Sequence, residues 1–425
     1  VLNAIIRDRP ITSELILGGL SCIIWTLTLQ TTIKYITLTL KADNNGEGGI
    51  FSLYALIRRQ KKWLVFPAMI GGAAILADGI ITPPITVTSS IEGLKQIPFF
   101  SDISGTAIIY IVIVILIALF FSQQFGTANI GKLFGPIMFF WFLMLMILGS
   151  IHLVDNLNIF KAFNPYYAIR LLTVYPKGFF ILGAVFLCTT GSESLYIDLG
   201  HCGRGNIRVS WIYVKIALII NYLGQGAWLL ANFKGQLFTK EAIDSGFNPF
   251  FGIMPDSFKI IGIVISTVAA IIASQALISG SFTLISESMR LNLWPKMKIN
   301  YPTEERGQLY IPGINTLLLV GCLGVVIYFQ TSSNMEAAYG LAITLCMLAT
   351  SILFTNFLIS RRTPKFLVYL YLVVYLTIEL SFLIANLEKF PHGGFVTLII
   401  GGGLFTVLYV CFRARKINNR YVEFV

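Results

Sequence analysis

Acidic and hydroxyl side chains interrupt an apolar stretch of the sequence, from Gly71 to Leu94, that is long enough to cross a membrane. The stretch contains Asp78 and Glu92, with several hydroxyl residues between them. Hydrocarbon contains no water to solvate polar groups, so these side chains are expected to face a bundle interior or a water-filled path. Side-chain oxygens can also replace the hydration shell of an alkali cation. The stretch therefore predicts one wall of a cation pathway.

Two threonines of this stretch, Thr82 and Thr86, are four residues apart and share one face of a helix. Their hydroxyls would suit a cation, although a threonine in a membrane helix also commonly donates back to a carbonyl one turn earlier. Asp78 and Glu92 could act at different depths of one route, as cation attractors or proton carriers. Alternatively, Asp78 caps a helix that begins at Pro83, and Glu92 lies at the outer interface. The sequence leaves these alternatives open.

A third acid, Glu193, lies near the centre of another apolar stretch, which Thr190 and Gly191 interrupt. An ionised carboxylate at that depth is costly unless a cation or a proton compensates it. Few basic residues lie deep within the apolar stretches, so we interpret Glu193 as functional and not as half of a structural ion pair. Glu379 lies within an apolar stretch near the end of the chain and is interpreted as a contact residue.

Apolar stretches of this length recur along the whole chain of 425 residues, of which 56% are apolar and 12% charged. In soluble domains about a quarter of the residues are charged. The pattern predicts an all-α polytopic membrane protein with eleven spans. These are expected at about 14–40, 64–95, 105–122, 131–153, 177–199, 209–231, 257–287, 309–330, 336–358, 364–386 and 394–412.

Other classes of protein find little support in the sequence. The six cysteines are scattered without CxxC spacing, and the three histidines show no catalytic or metal-ligand spacing. We therefore expect neither an enzyme nor a bound cofactor. The net charge of +11 comes from basic residues between the apolar stretches, which suits membrane topology better than nucleic-acid binding.

Basic residues predict the orientation of the chain, because cytoplasmic connections are rich in lysine and arginine. Most Lys and Arg residues outside the spans fall in alternate connections, such as 41–62, and in the tail 413–425. This places the C-terminus in the cytoplasm and Val1 outside. We expect a further span before Val1, with residues 1–412 as the transport domain and 413–425 as a basic tail that begins a cytosolic domain.

Three sites are predicted to break membrane helices. The pair Pro83 and Pro84 removes two backbone donors, the stretch 183–196 has a polar centre, and the stretch 273–281 is rich in small residues. Discontinuous helices with polar breaks near the midplane are the sequence pointer to the binding site of a secondary transporter.

Several motifs together resemble the KUP/HAK/KT family of potassium transporters, and they cover nearly the whole chain in consistent order. They include KADNNGEGGIFSLYALIRR (41–59), LADGIITPPITVTSSIEGL (76–94), TTGSESLYIDLGHCG (189–203), IIASQALISGSFTL (271–284) and AAYGLAIT (337–344).

The resemblance implies import of potassium by proton symport and alternating access, in the cell membrane. The implied fold is a LeuT-type 5+5 inverted repeat plus two helices, with the family's first helix absent from this chain. The implied potassium site comprises Thr82, Thr86, Thr190, Glu193 and Tyr339, and the acids implied in proton coupling are Asp78, Glu92 and Glu193. No cofactor beyond the transported ions is implied, and homodimer formation is left open.

Two other functions remain open at this point. An amino-acid or organic-cation carrier of the same architecture would also have broken helices. A membrane sensor would retain the motifs without transporting an ion.

Overall fold

The computed structural model describes residues 1–100, 102–126, 128–239, 243, 246–302 and 309–421. Within them, 11 helices are long and apolar enough to cross a membrane, which confirms the predicted number of spans and the all-α class. Most of the predicted ends are correct to within a few residues. Of the predicted tail, residues 413–421 continue the last helix, and 422–425 lie outside the described residues.

The α-helices follow one another along the described chain. In order they are α1 (Leu2–Ile6), α2 (Ser13–Thr26), α3 (Ile50–Ile57), α4 (Val65–Glu92), α5 (Gly105–Ser122), α6 (Ala128–Leu153), α7 (Pro165–Val174), α8 (Leu182–Val185), α9 (Ser192–Ile197), α10 (Leu199–Cys202), α11 (Arg204–Asn232), α12 (Pro249–Gly252), α13 (Lys259–Arg290), α14 (Pro312–Phe329), α15 (Ser332–Ser360), α16 (Lys365–Leu387) and α17 (Gly394–Tyr421).

Shorter helical segments extend or connect these helices. A π-helix, Leu27–Leu38, continues α2, and 3₁₀-helices occur at Thr39–Lys41, Lys62–Leu64, Gly93–Gln96, Pro98–Phe100, Gln123–Phe125, Leu157–Phe163, Gly178–Ile181, Phe186–Thr189 and Phe390–His392. The first span therefore runs from Ser13 to Lys41, and the fifth, Gly178–Ile197, is assembled from α8, α9 and two 3₁₀-helices.

Helix α4 lies at the centre of the bundle, where it packs against α13, α14, α15 and α17. In its most apolar stretch 83% of the residues are buried, compared with 17% in the peripheral α17. Asp78 and Thr82 are part of α4, so their side chains lie within the protein and away from lipid.

The first span contains a π-helix that the sequence analysis did not predict. Within it, Thr32 donates to the carbonyl of Leu27 at 3.1 Å and Thr37 to that of Thr32 at 2.8 Å, each to a residue five positions earlier. This spacing matches the wider turn of a π-helix, and π-helical segments are frequent at functional sites. Here the segment places Lys34 and Tyr35 in the interior, where both are fully buried.

The predicted break at Pro83 and Pro84 is wrong, because α4 is continuous from Val65 to Glu92. The two prolines leave the carbonyls of Gly79 and Ile80 without their donors in the helix. The Cys322 thiol of α14 lies 3.9 Å from the Gly79 oxygen and 3.3 Å from the Ile80 oxygen, and donates to them. A neighbouring helix thus satisfies the freed carbonyls, which permits proline inside a membrane helix.

The predicted break at 273–281 is also wrong, because α13 is one helix from Lys259 to Arg290. Its hydroxyls donate to carbonyls one turn earlier, as Ser274 does to Ala270 at 2.8 Å. Its small side chains allow close packing on α4. A β-carbon built on Gly79 would lie 2.7 Å from the Ser281 hydroxyl oxygen.

The predicted break in the fifth span is confirmed. Helix α8 ends at Val185, and a 3₁₀-helix follows it to Thr189. Thr190 then has ψ of 135° and Gly191 has φ of 82°, a left-handed value that glycine adopts easily. The chain resumes as α9 at Ser192, so Thr190 and Glu193 flank an irregular turn.

Replacing Cys322 tests its contribution to the continuity of α4. Cys322→Val keeps a similar volume but removes the donor, and we expect it to lower the midpoint of thermal unfolding by a few degrees, consistent with about 1 kcal/mol for one hydrogen bond. Cys322→Ser retains a donor and should remain close to the parent midpoint. Cys411→Val on α17 is the control, and equal midpoints for all four proteins would contradict the proposed role.

Candidate cation site

Hydroxyl and carboxylate groups from three elements converge beside the break in the fifth span. Tyr339 of α15 is 3% exposed, and its hydroxyl interacts electrostatically with Asp78 and faces the hydroxyls of Thr82 and Thr190. The Thr82 hydroxyl donates to Asp78 Oδ1 at 2.6 Å. Thr190 donates to the carbonyl of Leu187 at 2.6 Å. The structure therefore brings together four of the residues that the resemblance implied, from α4, α15 and the break.

The Tyr339 hydroxyl is the unsatisfied group of this cluster. Its oxygen is buried and makes no hydrogen bond of normal length among the described residues, although the hydroxyls of Thr82 and Thr190 are close enough to interact with it. A buried polar group without a partner costs about 1–3 kcal/mol. The hydroxyl oxygens of Tyr339, Thr82 and Thr190 retain lone pairs that a cation could accept as ligands. The arrangement is thus suited to a hard cation that binds oxygen.

Glu193 lies near this cluster and accepts hydrogen bonds from two hydroxyls. Tyr35 donates to Glu193 Oε1, and Thr350 donates to Oε2 at 3.4 Å. The Asp78 carboxylate also interacts electrostatically with Glu193. Glu193 therefore adds negative charge close to the hydroxyl cluster, although its own oxygens are engaged with Tyr35 and Thr350.

The structure corrects the interpretation that Glu193 lacks a basic neighbour. Lys34 Nζ lies 2.5 Å from Glu379 Oε1 and donates to the Tyr35 oxygen at 3.2 Å, and its charge acts on Glu193. Both Lys34 and Glu379 are fully buried. Glu379, interpreted as a contact residue, is thus the partner of a buried lysine. The sequence did contain a signal for this ion pair. A lysine and a glutamate lie inside two different predicted spans, and opposite charges within a membrane usually pair.

Thr86 and Glu92 each make a structural contact, and their predicted roles as ligand and proton carrier stay predictions. The Thr86 hydroxyl donates to the Thr82 carbonyl at 2.8 Å, one turn earlier. Glu92 accepts from the backbone N–H of Ser332 at 3.0 Å and from its hydroxyl, so it binds the first turn of α15. The alternative that Asp78 caps a helix starting at Pro83 is wrong, because α4 passes through this position without interruption.

A cavity of about 550 Å³ adjoins the hydroxyl cluster, and Thr86, Thr190 and Tyr339 form part of its wall. It extends along the bundle to Glu92 and Ser332. A space of this size is a vestibule beside the site and too wide to enclose a single bare ion.

The segment Asp43–Gly49 lies at the opposite end of the bundle and packs on α9 and α11. We call this end of the bundle the closed end. Asp43 forms a salt bridge of 2.7 Å with Arg204 at the start of α11. Tyr196 of α9 donates to the Ala42 carbonyl at 2.6 Å. Gly48 lies so close to α9 that an added β-carbon would be 1.9 Å from the Tyr196 carbonyl oxygen. The motif NNGEGG therefore fits against the helix that carries Glu193.

Comparison with known proteins agrees with this architecture. The sequence model of a family described as "K+ potassium transporter integral membrane domain" matches residues 1–416. The chain belongs to this family.

Bacterial relatives of the family cover the whole chain. Proteins named "Probable potassium transport system protein Kup" are 57% identical in Flavobacterium psychrophilum, 55% in Flavobacterium johnsoniae and 53% in Clostridium perfringens. The chain spans 64% of the length of the first two and 66% of the third. The resemblance stated from the motifs is thus confirmed at the level of the family.

Gly48→Ala should destabilise the closed end. The added methyl would collide with the Tyr196 carbonyl, and overpacking of this kind costs about 1–3 kcal/mol. We expect a lower midpoint of thermal unfolding in detergent. The matched control is Gly205→Ala on α11, where an added β-carbon meets nothing within 4 Å. Equal midpoints for both variants would show that the close approach at Gly48 has no energetic consequence.

Proposed function

We propose that this chain forms the membrane core of a potassium transporter, in which a dehydrated K⁺ binds between Thr82, Thr190 and Tyr339. The observation that carries the proposal is the buried Tyr339 hydroxyl, which makes no hydrogen bond of normal length among the described residues and faces two threonine hydroxyls. A potassium ion at this point would accept the free lone pairs and so remove the cost of the unsatisfied oxygen. The names of the relatives support potassium as the ion.

Asp78 and Glu193 provide the charge that favours a cation over a neutral substrate. Asp78 accepts from the Thr82 hydroxyl, and Glu193 acts on Asp78 electrostatically. Placing an extra negative charge in a low-dielectric interior is unfavourable, so a monovalent cation between them is stabilising. Thr86 is a weaker candidate ligand than Thr82, because Thr82 contacts Asp78 and Tyr339 whereas Thr86 contacts the carbonyls of Thr82 and Pro83.

The two ends of the bundle suggest how access to the site alternates. The vestibule leads from the hydroxyl cluster toward Glu92, whereas Asp43–Gly49 lies at the closed end. The closed end holds the basic connections 41–62 and 361–365, which favour a cytoplasmic location. We therefore propose an outward-facing state and a cytoplasmic C-terminus. The break in the fifth span would be the moving element, as in the LeuT-type inverted repeat that the family resemblance implies.

Proton symport is part of the proposal, because it accounts for uptake against a concentration gradient. One charge moved through 100 mV of membrane potential yields about 2.3 kcal/mol, and a co-transported proton approximately doubles this electrical term. Asp78 and Glu193 are the acids of the site itself. Glu92, which binds the first turn of α15, is the weaker candidate for a proton carrier.

Substitution of the hydroxyls tests the ion site. In the full-length protein, Tyr339→Phe and Thr82→Val should each lower the apparent Rb⁺ affinity by at least about fivefold, since a lost ligand of about 1–3 kcal/mol corresponds to roughly 5-fold to 160-fold. Uptake of Rb⁺ by potassium-uptake-deficient cells is the measurement. The matched controls are Tyr328→Phe, which is 61% exposed on α14, and Thr344→Val, whose hydroxyl donates to Gly340 at 2.7 Å.

Three results would separate the alternatives. Normal Rb⁺ affinity in both site variants would overturn the site assignment while leaving potassium transport intact. A wild-type protein that moves an amino acid or an organic cation but neither K⁺ nor Rb⁺ would overturn the substrate. Absence of any flux in sealed vesicles would favour a sensor.

A further inference from the structure

A second polar centre lies deeper than the cation site, between the first and tenth spans. Lys34 Nζ contacts Glu379 Oε1 at 2.5 Å and donates to the Met347 carbonyl at 3.1 Å. Ser351 of α15 donates to the same Glu379 oxygen at 2.9 Å. Glu379, Lys34 and Ser351 are all fully buried. The centre is therefore a fully buried, hydrogen-bonded ion pair that contacts neither lipid nor the vestibule.

This ion pair is linked to Glu193 by one side chain. Lys34 donates to the Tyr35 oxygen at 3.2 Å, and Tyr35 donates to Glu193 Oε1. One ammonium thus serves two carboxylates. With both carboxylates ionised the group carries an excess negative charge, and either a proton on one of them or a cation beside Glu193 would neutralise it.

Two buried oxygens of this centre, Glu379 Oε2 and the Tyr371 hydroxyl, make no hydrogen bond of normal length within the described chain. Tyr371 faces Ser351 and interacts electrostatically with Glu379. Native proteins rarely leave two neighbouring buried polar atoms unsatisfied without a functional reason or a bound species. A proton on Glu379 Oε2 would convert that oxygen from an acceptor into a donor.

We propose that Glu379 is a proton-binding residue coupled to the cation site through Lys34 and Tyr35. The inference rests on the proposed function and adds to it a residue outside the cation site. It does not require Glu379 to contact K⁺. Glu379 is therefore a positioning and coupling residue in this scheme, and Lys34 is the charge that both carboxylates share.

The proton step follows from the contacts. A proton from water adds to Glu379 Oε2, forming an O–H bond and removing the negative charge. Lys34 keeps its own three protons, but its charge is then no longer balanced by Glu379 and acts more strongly on Glu193 through Tyr35. Binding of K⁺ beside Glu193 is thereby weakened, so a proton that reaches Glu379 while K⁺ is bound promotes release of that K⁺ once the closed end opens, and the two ions cross in the same direction. Loss of the same proton to water restores the starting state.

The polar face of α16 indicates the route by which the proton leaves Glu379. Tyr371, Tyr375 and Glu379 are spaced by four residues and lie on one side of the helix, which begins at Lys365 at the closed end. The proton would therefore leave toward the closed end by a route separate from the vestibule. The groups that act on Glu379 from its own and neighbouring elements are Lys34, Tyr35, Glu193, Ser351, Tyr371 and Tyr375.

The test uses the full-length protein in proteoliposomes and two readouts of tracer Rb⁺. One is accumulation driven by an acidic exterior, and the other is Rb⁺/K⁺ exchange at equal pH, which needs no net proton movement. Glu379→Gln imitates the protonated acid. We expect this variant to accumulate about tenfold less Rb⁺ than wild type when the exterior is acidic, which lies within the usual range of coupling between sites. Rb⁺/K⁺ exchange at equal pH should persist. The control, Glu388→Gln, changes an exposed glutamate just beyond the end of α16 and should behave as wild type.

A second variant covers the case in which Glu379→Gln does not fold. Replacing a buried ion pair by apolar side chains of similar size is often tolerated, so Lys34→Met combined with Glu379→Met should fold and should also lose acid-driven accumulation. Acid-driven accumulation at the wild-type level in either variant would overturn the proposal. A wild-type protein without any Rb⁺ flux would instead overturn the proposed function.

Discussion

An uncompensated charge is too costly in the interior of a membrane protein, and this constraint governs the central region of the structure. Asp78, Glu193 and Glu379 bring three carboxylates into the bundle, while Lys34 brings an ammonium that pairs directly with Glu379. The remaining acids are held by hydroxyls of Thr82, Tyr35 and Thr350. These hydroxyls can donate to a carboxylate and still offer a lone pair to a cation.

Irregular backbone supplies the positions that regular helices could not. The π-helix of the first span presents Lys34 and Tyr35 to the interior, and the break in the fifth span presents Thr190 and Glu193. The two irregular segments contact each other through Thr31 and Ser192, whose hydroxyl oxygens are 2.8 Å apart. Helices α4 and α13, in contrast, remain continuous and form the fixed wall against which these segments lie.

Local pattern predicted the features that depend on a single segment. Hydropathy located the spans, and the polar run at 189–193 located the break, because each signal resides in consecutive residues. The features that escaped prediction depend on distant partners. Continuity of α4 through Pro83 and Pro84 depends on Cys322, more than two hundred residues later in the chain. The pairing of Lys34 with Glu379 joins the first and tenth spans. The two residues are far apart in the sequence, so no local pattern relates one to the other.

Helix α9 provides a physical link between the cation site and the closed end. Along its six residues it makes three contacts to the first span and the segment after it: Ser192 with Thr31, Glu193 with Tyr35, and Tyr196 with the Ala42 carbonyl. The middle contact is the one that carries charge, so a change in the charge around Glu193 acts on a helix that is also anchored at the closed end. The irregular turn at Thr190 and Gly191 separates α9 from the 3₁₀-helix that precedes it. Charge at the site and closure of the opposite end are thereby joined in a single element.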